Sequence, residues 1–176
     1  IAYMNEVCTN IGVVIVKEAG YFSTMIVASH ELAHSLGADH DSDVGCPKGN
    51  MMWMNIPGLY KEYSHKVWEY SECSIDAFQK LLAKKSCVKD EATYYDKNEY
   101  DNYNKLYPGQ IYSRDEQCKI IFGQNSYSCK FPSLDKICLY LPCYNTRNGN
   151  CDNQIAPPFK TMWEKGKKGL GFPINT

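Results

Sequence analysis

Three of the four histidines lie within one short stretch, SHELAHSLGADHD at positions 29–41. On an α-helix, His30 and His34 project from the same face with Cβ atoms about 5–6 Å apart. Two imidazoles at that spacing can bind one zinc ion through bonds of about 2.0–2.1 Å. Glu31 then falls beside the metal, where its carboxylate suits a general base. The spacing predicts a catalytic metal centre.

Gly37 and His40 complete the pattern HExxHxxGxxHD. A catalytic zinc usually has three protein ligands and one open position, so two imidazoles are not enough. Glycine readily adopts positive φ, so Gly37 can end the helix and return His40 to the same metal. The plain alternative, a surface helix with incidental histidines, leaves this spacing unexplained. The predicted site has Glu31 as catalytic base and three zinc ligands, His30, His34 and His40.

Asp41 and His65 have other expected roles. A fourth protein ligand would close the position of the water, so Asp41 is expected to orient the loop around the metal. His65 has no partner at ligand spacing and is expected at the surface.

The motif requires a helix and elements around it. Residues 1–4 and 11–17 are rich in β-branched or aromatic residues and predict two short strands. Residues 24–36 predict the helix that carries the motif, with Ser23 as N-cap and Gly37 as the left-handed residue that ends it.

A second helix is predicted at residues 74–85, because its apolar residues share one face and its lysines lie near the C-terminal end. That apolar face consists of Ile75, Phe78, Leu81 and Leu82. Residues 89–106 are rich in tyrosine and acidic residues without an aliphatic stripe, which favours a solvated linker. Residues 107–176 contain five cysteines and few aliphatic residues, which indicates a small module held by disulfides.

Composition narrows the function classes. The 176 residues are 44% hydrophobic with a net charge of −1, which supports a buried core and argues against nucleic acid as a partner. The apolar runs IGVVIV and MIVA are far shorter than the ~20 residues that span a membrane, so no membrane association is expected. Nine cysteines without CxxC pairs favour disulfides, an oxidising compartment and one odd thiol.

The motif resembles that of the metzincin zinc proteases. Because it ends in an aspartate, Asp41, it is most similar to the motif of the adamalysin (reprolysin) family. AYMNEVCTNIGVVIVKE, GNMMWM and YSECSIDAFQKLLAKKSCV are similar to the same family. Secreted tick salivary metalloproteases and ADAMs with thrombospondin repeats share this layout. The segment YPGQIYSRDEQCKIIFGQNSYSC resembles the disintegrin-like module that follows the catalytic domain.

The resemblance implies an α+β chain in three parts. Residues 1–88 would be the C-terminal part of a metzincin (zincin-like) catalytic domain that lacks its N-terminal half, so the chain alone is expected to have reduced activity or none. Residues 89–106 would be the linker and residues 107–176 the disintegrin-like module. That module is expected either to select protein substrates or to act as a passive cap.

Further residue roles are implied by the resemblance. Met52 would be the methionine of the turn beneath the metal, and Met51 and Met54 would fill the core. Residues 53–57 would line a specificity pocket, and residues 1–4 would be the sheet edge along which substrate adds. Calcium is also implied, through the Cys87 carbonyl and Asp90, although solvated charge is the competing interpretation of Asp90.

The resemblance also implies disulfide pairing and leaves Cys138 as the odd thiol. The implied pairs are Cys8 with Cys87, Cys46 with Cys73, Cys118 with Cys143, and Cys129 with Cys151.

Together these features predict a secreted, extracellular zinc endopeptidase that hydrolyses extracellular proteins, such as haemostatic or matrix proteins of a host. A non-catalytic secreted protein that binds through its cysteine-rich module is the alternative. A plain disulfide-rich structural protein would leave the histidine spacing unexplained. The sequence predicts no oligomeric state.

Overall fold

The computed structural model of the chain describes residues 1–18, 23–54, 66–89, 98, 111–130 and 140–155. These residues form two compact units, the first within residues 1–89 and the second from residue 98 onward. The predicted roles of His65, Asp90 and Cys138 lie outside the described residues, as do most of the predicted linker and residues 55–57 of the predicted pocket wall. Among the described helices, none combines the length and apolar character that crossing a membrane requires.

The prediction of two strands at residues 1–4 and 11–17 is wrong in extent. The structure has one isolated antiparallel bridge there, between Ala2 and Val14. The chain leaves the pairing at Asn5, which has a φ of 63° and donates its backbone N–H to the carbonyl of His34. These residues are therefore drawn to the C-terminal end of the first helix instead of continuing a ladder.

Helix α1 spans Ser23–Ser35, so the predicted helix is confirmed with its bounds moved by one residue and with Ser23 inside it. Gly37 has a φ of +99°, as the turn prediction requires. The N–H of Ala38 donates to Ala33 and the N–H of Gly37 donates to His34, which is the Schellman pattern of helix termination. Ala33 and Ala38 are then buried together in one apolar cluster with Met52.

Helix α2 spans Glu72–Leu82, two residues earlier at its start and three earlier at its end than predicted. The hydroxyl of Ser71 accepts a hydrogen bond from the N–H of Ser74 and caps the helix, which explains the earlier start. Phe78 packs against the apolar cluster, but Ile75 is 37% exposed. The buried face is rotated toward Ser74, so the predicted apolar face is only partly correct.

Two disulfides join distant parts of the first unit, Cys8 to Cys87 and Cys46 to Cys73, and confirm both predicted pairs. The second pair links the loop after His40 to helix α2. Closing such loops restricts the unfolded chain and so favours the folded state.

The second unit contains a helix and a hairpin that the sequence interpretation did not predict. Helix α3 spans Arg114–Phe122, and strands β1 (Tyr140–Asn145) and β2 (Asn150–Ile155) pair antiparallel with Tyr140 opposite Ile155. A capping box starts α3: Ser113 and Glu116 each accept a hydrogen bond from the other's backbone N–H.

A disulfide forms the centre of the second unit's core. Cys118 on α3 and Cys143 on β1 are bonded and 0% exposed, and Leu141 is buried beside them in β1. Cys129 and Cys151 are also bonded, which confirms both pairs predicted for this region. The prediction that disulfides hold the second unit's fold together agrees with this core.

Candidate metal centre

Helix α1 and the turn after it bring the three motif histidines together. One ring nitrogen from each of His30, His34 and His40 lies within 4.8 Å of the others. The Nε2 atoms of His30 and His40 are 3.3 Å apart. Two nitrogens bound tetrahedrally to one zinc at ~2.0–2.1 Å are separated by roughly 3.3–3.4 Å. This pair therefore has the spacing of ligands to a single zinc ion.

The other ring nitrogen, Nδ1, faces a hydrogen-bond acceptor in each of the two histidines of α1. Nδ1–H of His30 donates to the carbonyl of Met51 at 2.8 Å, and Nδ1–H of His34 donates to the carbonyl of Ala38 at 2.8 Å. A carbonyl oxygen can only accept, so the proton must be on Nδ1. In the neutral rings the lone pairs are therefore on Nε2, as metal binding requires.

His40 is oriented by an acidic neighbour instead of a carbonyl. Its Nδ1 lies 3.4 Å from a carboxylate oxygen of Asp43, and its side chain is 28% exposed. The exposure gradient from the buried His30 to His40 leaves one side of the histidine cluster open to solvent. Such an opening suits a centre that must admit water and substrate.

Electrostatics favour the neutral, metal-binding form of His30. Burial lowers the pKa of His30 below its ordinary value of 6.5, and the adjacent His34 and His40 lower it further. The hydrogen bond to Met51 and the charge of Glu31 oppose this shift. The donor set consists of three imidazoles, each of which offers one ring nitrogen, and it fits a zinc ion.

Glu31 lies next to the histidine cluster without joining it. Its carboxylate is 3.0 Å from the backbone nitrogen of Ile1, and its side chain is 19% exposed. Helical geometry directs Glu31 away from the line through His30 and His34, toward the side where residues 1 and 15 pair. The carboxylate is therefore on the accessible side of the helix, outside the ligand set.

The turn with Met51 and Met52 lies beneath the histidines. Met52 is 0% exposed and packs with Ala33 and Ala38, as predicted for the turn methionine, and Met51 is 5% exposed. The prediction that Met54 fills the core is wrong, because Met54 is 52% exposed. Trp53, the first residue of the predicted pocket wall, has Lys48 5.7 Å from its ring centroid.

Asp41 is fully buried and connects the histidine loop to α2. Its Oδ1 accepts hydrogen bonds from the hydroxyls of Ser71 and Ser74, and its backbone N–H donates to the carbonyl of Met52. The expected role in orienting the loop is thus realised through α2. Nothing in the spacing of the motif pointed to Ser71 or Ser74.

A helix with two histidines four residues apart, a glycine turn and a third facing imidazole form the arrangement of a zinc metalloprotease. A family model described as "Reprolysin (M12B) family zinc metalloprotease" matches residues 1–91, more than half of the chain. The chain belongs to the reprolysin family of zinc metalloproteases. A second model, "ADAMTS cysteine-rich domain 2", matches residues 108–165, within the segment predicted to be the cysteine-rich module.

The chain is also similar to curated relatives. The chain is 28% identical over 90% of its length to "A disintegrin and metalloproteinase with thrombospondin motifs 20" of Homo sapiens. It is 30% identical over 79% of its length to "A disintegrin and metalloproteinase with thrombospondin motifs like" of Bombyx mori. It covers 8% and 20% of these two proteins, so it corresponds to a small part of each.

Proposed function

We propose that the chain contributes the zinc centre of a secreted metalloendopeptidase that hydrolyses peptide bonds of extracellular proteins. The observation that carries this proposal is the arrangement of His30, His34 and His40: one ring nitrogen of each lies within 4.8 Å of the others, and the Nδ1 atoms of His30 and His34 are held by carbonyls. A histidine cluster formed by chance has no reason to place the protons of both His30 and His34 on Nδ1.

Zinc, when bound by His30, His34 and His40, supplies a Lewis acid that makes water acidic and polarises a peptide carbonyl. The carboxylate of Glu31 would take a proton from the water as its oxygen bonds to the peptide carbon, and would give that proton to the amine nitrogen as the C–N bond breaks. The carbonyl partners of His30 and His34 fix the orientation of both rings, and burial of His30 favours its neutral form.

Secretion and protein substrates are part of the same proposal. Four disulfides among the described residues suit an oxidising compartment. The match to a cysteine-rich domain supports a second module, whose proposed role is either to contact the substrate away from the cleavage site or to act as a passive cap. The domain bounds 1–88, 89–106 and 107–176 remain predictions within this proposal.

The test compares Glu31→Gln with His34→Ala in the full-length protein that contains this chain, with the complete catalytic domain, refolded under oxidising conditions. Glu31→Gln should bind one zinc per chain by atomic absorption and lose cleavage of quenched fluorescent peptides by roughly 100-fold or more, because a general base typically contributes that much. His34→Ala should lose both zinc and cleavage.

Two results would overturn the proposal. Undiminished cleavage by Glu31→Gln would remove Glu31 from its role as base. Stoichiometric zinc without any cleavage by the full-length protein that contains this chain would favour a non-catalytic metal-binding protein.

A further inference from the structure

Three consecutive residues before helix α2 contact every segment that carries the histidine cluster. Glu69, Tyr70 and Ser71 reach the methionine turn, helix α1 and the histidine loop, respectively. None of the three belongs to the motif, and none is a candidate ligand. Their contacts converge on residues adjacent to the imidazoles.

Glu69 acts through its backbone. Its carbonyl accepts from the N–H of Met51 at 2.9 Å and from the side-chain amide of Asn50 at 3.4 Å. The carbonyl of Met51 in turn accepts from Nδ1–H of His30 at 2.8 Å. The backbone of one residue, Met51, therefore links the Glu69 carbonyl to the carbonyl that fixes the ring of His30.

Tyr70 acts through its hydroxyl, which donates to the carbonyl of Ser29 at 2.9 Å. Ser29 directly precedes His30 in α1, and its carbonyl has a second lone pair for the helical hydrogen bond. The ring of Tyr70 packs edge-on against Phe78 with centroids 5.0 Å apart and contacts the cluster that contains Met52. Burial raises the pKa of Tyr70 above 10.0, so the hydroxyl remains protonated and able to donate.

Ser71 acts through a buried hydroxyl that donates to the carboxylate of Asp41. Asp41 directly follows His40, and the N–H of Asp41 donates to the carbonyl of Met52 at 2.9 Å. The same hydroxyl caps α2 by accepting from the N–H of Ser74. Ser71 therefore connects the third histidine to the start of α2.

We infer that residues 69–71 position the zinc-binding histidines, with Tyr70 holding α1 at His30 and Ser71 holding the loop at His40. This inference rests on the proposed zinc centre. A short rigid segment that holds both sides of the cluster keeps the Nε2 atoms of His30 and His40 at ligand spacing before the metal binds, which lowers the ordering entropy that binding must overcome.

The experiment measures zinc affinity of the full chain by competition with a chromophoric chelator, and the visible spectrum after substitution with Co²⁺. Tyr70→Phe keeps the ring and removes the donor, so zinc should bind about 3- to 10-fold more weakly. The cobalt d–d bands, which report ligand geometry, should shift or lose intensity. Tyr127→Phe, at an exposed position of the second unit, is the matched control and should change neither.

Ser71 provides an independent pair of variants. Ser71→Ala should weaken zinc binding, and Ser71→Thr should restore it to within about 2-fold because threonine retains the hydroxyl and the cap. This pair decides the question if Tyr70→Phe does not fold.

Wild-type zinc affinity and an unchanged cobalt spectrum in folded Tyr70→Phe would overturn the inference and leave the zinc centre standing. A lower melting temperature of the metal-free Tyr70→Phe protein with unchanged cobalt bands would also overturn it, since the tyrosine would then be structural only. Failure of the unsubstituted chain to bind zinc would instead refute the proposed function.

Discussion

The two units are stabilised by different kinds of contact. In the first unit, small apolar residues under the histidines form the core, and both disulfides lie around it, from Cys8 to Cys87 and from Cys46 to Cys73. In the second unit, the Cys118–Cys143 bond is itself at the centre of the core. The first unit therefore positions chemistry with packing and hydrogen bonds, whereas the second depends on covalent links.

The difference shows what each unit needs. The histidine cluster requires three backbone segments at fixed distances, and a packed core with buried hydrogen bonds provides that precision. A unit with few aliphatic residues buries too little apolar surface to fold without cross-links. No disulfide among the described residues joins the two units, so each can be perturbed separately.

Removal of zinc should cause the largest loss of folding stability, and this loss should be confined to the first unit. At free zinc about 1,000 times the dissociation constant, binding stabilises the folded state by about 4 kcal/mol, which a chelator would remove. Hydrogen exchange by mass spectrometry should show lost protection in Ser23–Ser35 and little change in Tyr140–Asn145. His34→Ala is the control and should not respond to chelator. Equal loss of hydrogen-exchange protection in both units would contradict the expectation that each unit can be perturbed separately.

Loss of the central disulfide should have the next largest effect, in the second unit. Replacing Cys118 and Cys143 with alanine opens a loop with a sequence separation of 25 residues, which should lower the free energy of unfolding by about 3.5 kcal/mol. Limited proteolysis should then cut within Arg114–Phe122, while zinc stoichiometry stays at one. Loss of zinc in this double variant would show that the units are coupled.

Gly37→Ala should have an intermediate effect, confined to the first unit. An added Cβ at a φ of +99° would lie 3.0 Å from Oδ1 of Asn5 and 3.2 Å from a methyl of Leu81. Gly45→Ala is the matched control, because Gly45 has a φ of +76° with nothing within 4 Å of an added Cβ. Urea unfolding should show a loss of about 1–2 kcal/mol from the backbone alone at Gly45 and a larger loss at Gly37. Equal losses would mean that Asn5 and Leu81 move aside.

The smallest expected effect is a pH dependence in the second unit. The hydroxyl and N–H of Ser128 donate to Asp115 and lower the pKa of its carboxyl below 3.8. The folded pKa lies below the unfolded one, so this stabilisation is full above about pH 4 and disappears as the pH falls through the folded pKa. Asp115→Asn should flatten the stability profile below about pH 4, as measured by urea unfolding. Asp76→Asn, which removes a carboxylate from α2, should not change the acid response of the second unit.

Much of the candidate site could be predicted because its determinants are local. The spacing of His30, His34 and Gly37 on one helix is a property of helical geometry, and the structure reproduces the turn. Helix α3 and the hairpin were missed although local signals existed. Ser113 and Glu116 form a capping box, and Asn148 with Gly149 marks the turn between the strands. Low aliphatic content hid both elements, since apolar periodicity is weak where a disulfide replaces the core.

The amino-acid sequence by itself determined the chemistry of the first unit: which donors are available, their order, and the glycine that turns the chain back. Only the tertiary structure decided how those donors are held. Met51 is 21 residues from His30, and Tyr70 is 41 residues from Ser29. Contacts at such separations depend on how the loop, the turn and α2 pack together, and no local pattern of residues specifies that packing.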